Sequence, residues 1–265
     1  MTPPISIDGT DITGATIDGT DVQEITVDGD VVFTAAPPIP GSVNHYYPTN
    51  EGSGTVLTDT VGSTNATISG AAWQTGAGTA NTFLSYDGSN DFTDFNNPSS
   101  PLIPETDDFT GFIWVRPDSG GQSNIILSQY FAQLANGRLS CSKNNDDEFS
   151  LFLGNDNSES SVSIKSTTTT NIGEWYSVAI RRDGNDFDLF VNGQLEGSHT
   201  DSGTRNILQT GNLIGAEIDG AGGSYNQDLH LFFSGAVDQF WIDSNTALSN
   251  TVIEDFHDDT VGLYP

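Results

Sequence analysis

Basic residues are almost missing from this sequence. Seven Lys and Arg stand against 36 Asp and Glu in 265 residues, a formal net charge of −29 at pH 7. Only Lys143 and Lys165 are lysines. With no basic patch to neutralise phosphates, a nucleic-acid partner is excluded. Cysteine occurs once, as Cys141, which excludes an internal disulfide. No apolar run approaches the roughly 18 residues of a membrane helix, so membrane insertion is not expected. The opening MTPPISIDGTD has neither a basic region nor an apolar signal core and reads as carrying no export signal. The four histidines, His45, His199, His230 and His257, show no zinc spacing, and neither HExxH nor GxSxG is present. Those absences remove the common zinc and serine hydrolases.

What is present in quantity is aspartate, glycine and short apolar runs. The 36 acids are spread along the whole chain rather than gathered in a tail. In dilute buffer such a charge works against compactness through self-repulsion. In molar salt the screening length falls to about 3 Å and the repulsion fades. An evenly acidic, lysine-poor chain suits concentrated salt, and in this it resembles the proteins of extremely halophilic archaea and their viruses.

The first segment is an internal repeat. Ile7-Asp8-Gly9-Thr10-Asp11, Ile17-Asp18-Gly19-Thr20-Asp21 and Val27-Asp28-Gly29-Asp30 recur at a ten-residue step. Asp-Gly between β-branched residues is a hairpin signal, so residues 1–36 read as a small β-meander of three or four strands. So short a segment cannot bury a useful core alone. It must dock on its own domain, on sister copies or on a larger assembly, with Ile7, Ile17 and Val27 as the assembly residues. A calcium-binding nonapeptide array is the rival reading, but its step would be nine. Residues 37–41 form a proline-rich linker.

From residue 42 to 265 the pattern is short strands and turns. Alternation marks strands at 110–115, 176–181 and 187–191, with less regular runs at 229–233 and 237–242. The one helix is expected at 248–257, capped by Ser249 or Asn250 and only a turn or two long. Strand signals at this density indicate an all-β, two-sheet antiparallel sandwich. Trp73, Trp114, Trp175 and Trp241, with Val178, Ile180 and Leu189, are expected in its core.

The order of segments resembles the laminin G-like, concanavalin A-like jelly-roll domains, a group that includes the pentraxins. The resemblance rests on His45-Tyr46-Tyr47-Pro48 with Glu51-Gly52-Ser53-Gly54-Thr55, on Asp59-Thr60-Val61-Gly62-Ser63-Thr64-Asn65, and on Leu84 to Phe92. It continues through Phe109 to Pro117, the ladder from Trp175 to Asn192-Gly193, Leu213-Ile214-Gly215, and Phe233 to Asp238 with Ala247-Leu248-Ser249. It covers nearly all of residues 43–257. It implies a jelly-roll fold with the 173–198 ladder in the middle of a sheet.

The resemblance also implies a structural Ca²⁺ held by Asp59, the loop at Gly62 and Asn65, and Asp238. Calcium takes six to eight hard oxygens, carboxylate and carbonyl alike. Asp87 and Asp91 form a second, weaker acidic pair. Asp186 and Asp188, alternate on one strand, are the nearest approach to a glycosidase pair, but no Glu accompanies them, and the chain is read as not an enzyme. Polar loops suit recognition, and Tyr130, Asn145, Asp147, Asn157 and Tyr225 are the candidate ligand-binding residues.

Taken together, these features suggest a structural protein of a haloarchaeal tailed virus, displayed on capsid or tail at the virion surface. The N-terminal module would dock to other virion proteins. The sandwich would decorate the particle or attach to a host surface glycan or glycoprotein, as a trimer or pentamer. A haloarchaeal cell-surface adhesin or polysaccharide-binding module is the alternative.

Overall fold

The computed structural model describes residues 39–265 apart from 79–80, 96–101, 130–136, 155–158, 208–210 and 219–228, and, before residue 39, the backbone of six short strands. The chain divides into two compact units, Met1–Ile39 and Pro40–Pro265.

In the first unit β1 (Ser6–Ile7) pairs with β2 (Thr10–Asp11), β3 (Thr16–Ile17) with β4 (Thr20–Asp21), and β5 (Glu24–Val27) with β6 (Asp30–Thr34). The expected single meander is corrected: each hairpin is its own two-stranded antiparallel sheet. Each ladder is local to one repeat. The pairing puts Ile7 opposite Thr10, Ile17 opposite Thr20 and Val27 opposite Asp30.

The second unit is a two-sheet antiparallel sandwich. Its strands begin with β7 (His45–Tyr47), β8 (Val56–Leu57), β9 (Ala66–Ser69), β10 (Ala72–Thr75), β11 (Thr82–Asp87) and β12 (Phe92–Asp94). There follow β13 (Phe109–Pro117), β14 (Asn124–Gln129), β15 (Leu139–Lys143), β16 (Glu148–Leu153), β17 (Val162–Thr169) and β18 (Tyr176–Asp183). The last are β19 (Asp186–Val191), β20 (Gln194–Thr200), β21 (Asn212–Ile214), β22 (Glu217–Ile218), β23 (Leu229–His230) and β24 (Ser234–Asp243). One sheet runs β10-β11-β24-β13-β18-β19-β20, with β7 also on β24; the other runs β17-β16-β15-β14-β21-β12-β9-β8. The β18-β19-β20 ladder lies at one edge of its sheet, not in the middle.

The core lies between the sheets and follows the period-two pattern of the strands. Ile113 and Val115 of β13, Val178 and Ile180 of β18, and Leu139 and Leu151 of the facing sheet all join it. Each such side chain contributes about 1.5–3 kcal/mol on burial. Cys141 is part of this core, and burial pushes its thiol up to about 12.

The residues in between point outward from the first sheet and are covered by α1 (Asn250–Thr260). Ser249 caps this helix by accepting from the Val252 amide. No Gly or Pro interrupts residues 250–260, so the helix runs about three turns, longer than expected. Ile253, Phe256 and Thr260 form its buried stripe. Phe256 meets Phe112 and Trp241 edge-on at 4.9 and 5.5 Å. Trp114 and Trp241 are therefore buried under the helix rather than between the sheets. Trp175 is corrected as well: it stands half-buried just before β18, against Phe83 at 5.4 Å and Tyr264 at 5.0 Å.

Candidate functional site

The predicted calcium residues do not assemble as one cation cage. Asp59, Gly62 and Asn65 do share a loop, but its polarity is the reverse of a cation site. Asp59 Oδ1 accepts from the amides of Tyr46 at 3.0 Å, Val61 at 3.3 Å and Gly62 at 2.8 Å; Oδ2 accepts from Thr64 at 3.2 Å. The His45 ring nitrogen lies 2.6 Å from Oδ2. The Asn65 side-chain oxygen is taken by the Asp59 amide at 3.0 Å. Burial opposes ionisation of Asp59, but the bonds from His45, Tyr46, Gly62 and Thr64 outweigh it and hold the carboxyl down at about 2. Gly62 is needed for close approach: a Cβ there would fall 2.4 Å from Asp59 Oδ2 and 2.7 Å from the Asn44 carbonyl.

Asp238 has a different set of partners. It is fully buried, and bonds to the Gln239 amide and the Tyr264 phenol. Burial is the dominant influence and holds its carboxyl well above the usual carboxylate range. Among the described residues no group of three or more His, Cys, Asp or Glu is arranged to hold a metal ion. The donors present do not fit the calcium that the resemblance implied. The acids Asp87 and Asp91 close their own turn: Asp87 takes the amides of Ser89 and Asn90, and Asp91 takes that of Asp87.

The other candidates separate in the same way. Asp188 is held by Arg181 at 2.6 Å and by Ser198 at 2.7 Å, and Asp186 takes the Thr200 hydroxyl at 2.5 Å. Asp147 pins three segments together: its carboxylate takes Lys143 at 2.6 Å and the Gly121 amide at 2.8 Å, and its carbonyl takes the Thr170 amide. The bond from Lys143 is the main reason its carboxyl titrates low. Asn145 is exposed on the same turn. Tyr130, Asn157 and Tyr225 lie outside the described residues.

A surface the sequence reading missed lies on the outer side of the second sheet. Cross-strand register lines up Ser163, Phe152, Ser140, Ser128, Leu213, Asp94 and Thr67 in one row across the strands. A parallel row joins Lys165, Ser150, Ser142 and Ile125. Leu151 and Cys141, between these positions, face the core, so both rows face away from it. Ser150 and Ser163 are joined hydroxyl to hydroxyl at 2.8 Å.

The β22–β23 ribbon lies against this face, held by the Ser128 hydroxyl on the Ala216 carbonyl at 2.8 Å. Leu213 and Ala216, with Phe92, Leu229 and Phe232 packed on them, supply its apolar footing. At the rim the Arg138 guanidinium stacks 4.7 Å from the Phe152 ring centre. It grips the buried Glu217 carboxylate through Nε at 2.5 Å and Nη2 at 2.6 Å. His230, opposite Glu217 in the ribbon, lies 3.8 Å from the same carboxylate. Ser–X–Ser alternation in LSCSK was the signal available in the sequence; the pairing of Arg138 with Glu217 had none.

The electrostatics of the whole surface follow from the cations. Arg116 pairs with Asp118, Lys165 with Asp146 and Glu148, and Arg205 with Asp201. Arg182 is buried and donates to the carbonyls of Gly184 and Glu105. With Arg138, Lys143 and Arg181 already placed, all seven basic side chains are engaged within the chain. The surface that remains is anionic.

The chain belongs to the concanavalin A-like lectin/glucanases superfamily, whose family model matches residues 87–254. No curated protein sequence matches it. Among solved structures it is similar to domain 4 of AbnA, a GH43 extracellular arabinanase from Geobacillus stearothermophilus, in complex with arabinotriose. That match has 14% identity and a TM-score of 0.62 over 81% of this chain and 98% of that one. It is also similar to the binding domain of Paraclostridial Mosquitocidal Protein 1, at 15% identity and a TM-score of 0.60 over 81% of this chain and 51% of that one. The botulinum neurotoxin serotype G binding domain matches at 16% identity and a TM-score of 0.57, over 81% and 50%. This chain therefore spans about half the length of each toxin domain.

Proposed function

We propose that this chain is a non-catalytic, lectin-like display protein of a halophilic archaeal virus, carried on the capsid or tail. The N-terminal unit docks to other virion proteins, and the sandwich offers the Phe152 rim of its second sheet to a host surface glycan. The observation that supports glycan recognition is the outer face of the second sheet. Phe152 gives a partly exposed ring with the Arg138 guanidinium stacked on it, and Ser163 and Lys165 stand exposed beside it, while Ser128, Ser140, Ser142 and Ser150 are buried. Sugars are bound by this combination of an apolar platform and placed polar groups. The nearest approach to a glycosidase pair, Asp186 and Asp188, is occupied by Arg181, Ser198 and Thr200, which favours binding over turnover.

Two measurements test the proposal. Titration calorimetry in molar KCl with haloarchaeal surface polysaccharide should show binding that F152A weakens; no binding by the wild-type chain sinks the glycan reading. Immunogold labelling of purified particles should decorate capsid or tail; label confined to the host cell surface would favour an adhesin. The arabinotriose complex of the domain 4 neighbour is the observation that keeps a free polysaccharide-binding module as the second reading.

A further inference from the structure

Asp238 is a buried acid on the outer side of the first sheet, and its position there has a local cause. Between β13 and β24 the register shifts, so that Phe112 faces Trp241 while Trp114 faces Asp238. One extra residue has been inserted in β24, and Gln239, in the shifted stretch, has φ +43°. The bulge turns Asp238 and Trp241, three residues apart, to the same side.

A calcium ligand must be ionised and must share the ion with other hard oxygens. Asp238 is instead surrounded by donors. Its Oδ2 takes the Tyr264 phenol at 2.9 Å, its Oδ1 takes the Gln239 amide at 2.8 Å, and the Thr49 hydroxyl adds a third bond. The two other titratable groups near it, Tyr46 and Tyr264, are phenols that burial keeps neutral.

The same contacts route the segment that follows α1. The Gly78 amide donates to the Leu263 carbonyl at 3.0 Å. A Cβ on Gly78 would fall 1.9 Å from Asp238 Oδ2, so only glycine closes over the acid here. The Tyr264 ring stacks on Trp114 at 4.1 Å, and the Trp114 indole donates to Thr260 at 3.0 Å.

We propose that Asp238 is the socket of a latch and not a cation ligand: the Tyr264 phenol occupies the carboxyl that the family resemblance assigns to calcium, and the segment that follows α1 ties β24 to the outer layer. This latch is independent of what the Phe152 rim binds.

The test uses the full chain in molar KCl. Thermal unfolding is followed with excess chelator and with excess calcium, alongside hydrogen exchange at residues 261–265. The two melting temperatures should agree within about 1 °C. Y264F should speed exchange at 261–265 about tenfold without creating a calcium response. D238N, whose amide nitrogen cannot accept from the Tyr264 phenol, should stay folded and also speed exchange at 261–265. A calcium-induced rise of several degrees that D238N abolishes would overturn the latch. If Y264F fails to fold, the wild-type and D238N comparisons still decide.

Discussion

His45 and Asp59 meet at 2.6 Å across the mouth of a loop whose Val61, Gly62 and Thr64 amides point at the same carboxylate. The carboxyl titrates at about 2 in the fold, below its ordinary 3.8. Because the folded value is depressed, its contribution to stability is complete above about pH 4 and is lost as pH falls towards 2. D59A leaves several amides without an acceptor and should cost about 3 kcal/mol. Denaturant unfolding against pH checks both: the variant should lose stability at neutral pH and show a flatter acid limb.

Asp238 has the opposite sign. Its folded value is raised, so the unfolded chain ionises first and stability falls as pH climbs above about 4. D238N should remove that decline, and its stability difference from wild type should grow from pH 4 to pH 7 in the variant's favour.

Two glycines should respond in opposite directions to alanine. Gly111 borders a small apolar cavity with Leu127, Cys141, Val178 and Ile180. A Cβ there meets Ile180 at 3.5 Å and Ile242 at 3.8 Å, ordinary contact distances. G111A should stabilise by about 0.5–1 kcal/mol. Gly78 has φ +84° and no room above Asp238, so G78A should destabilise by about 3 kcal/mol or more. Melting temperatures of the pair check this.

The Arg138–Glu217 pair should matter for stability and Phe152 for binding. R138A takes the guanidinium away from a buried carboxylate and should cost about 3–5 kcal/mol. F152A removes a half-buried ring and should weaken glycan binding about tenfold with little change in melting temperature.

Salt should act on the whole molecule. With every basic side chain engaged internally, nothing at the surface offsets the net charge of −29. Lowering KCl from about 1 M to about 0.1 M stretches the screening length from about 3 to about 10 Å. The melting temperature should drop by many degrees over that range, and a chain indifferent to salt would remove the basis for the brine reading.

The sandwich was legible because strand alternation is local. Val178, Ile180 and Leu189 sit in the core where their spacing put them. Trp114 and Trp241 are buried as expected but beneath the helix, and Trp175 is only half-buried, because a large aromatic reads as buried without saying on which side of its sheet. The helix ran past its predicted end because Thr260 is held by the Phe256 carbonyl and by Trp114, a residue 146 positions away. The calcium set failed for a similar reason: Asp59, Gly62 and Asn65 are neighbours in sequence, and Asp238 was joined to them only by analogy.

By itself the sequence determined the class of structure, the hairpins of the N-terminal repeat and the anionic surface. Each of these depends on residue type and near-neighbour spacing. Only the tertiary structure decided which acids are occupied and by what. Arg138 reaches Glu217 across 79 positions and Tyr264 reaches Asp238 across 26. A carboxylate looks the same in a sequence whether it faces amides, a guanidinium or a phenol, and strand order, register and one bulge settle which it meets.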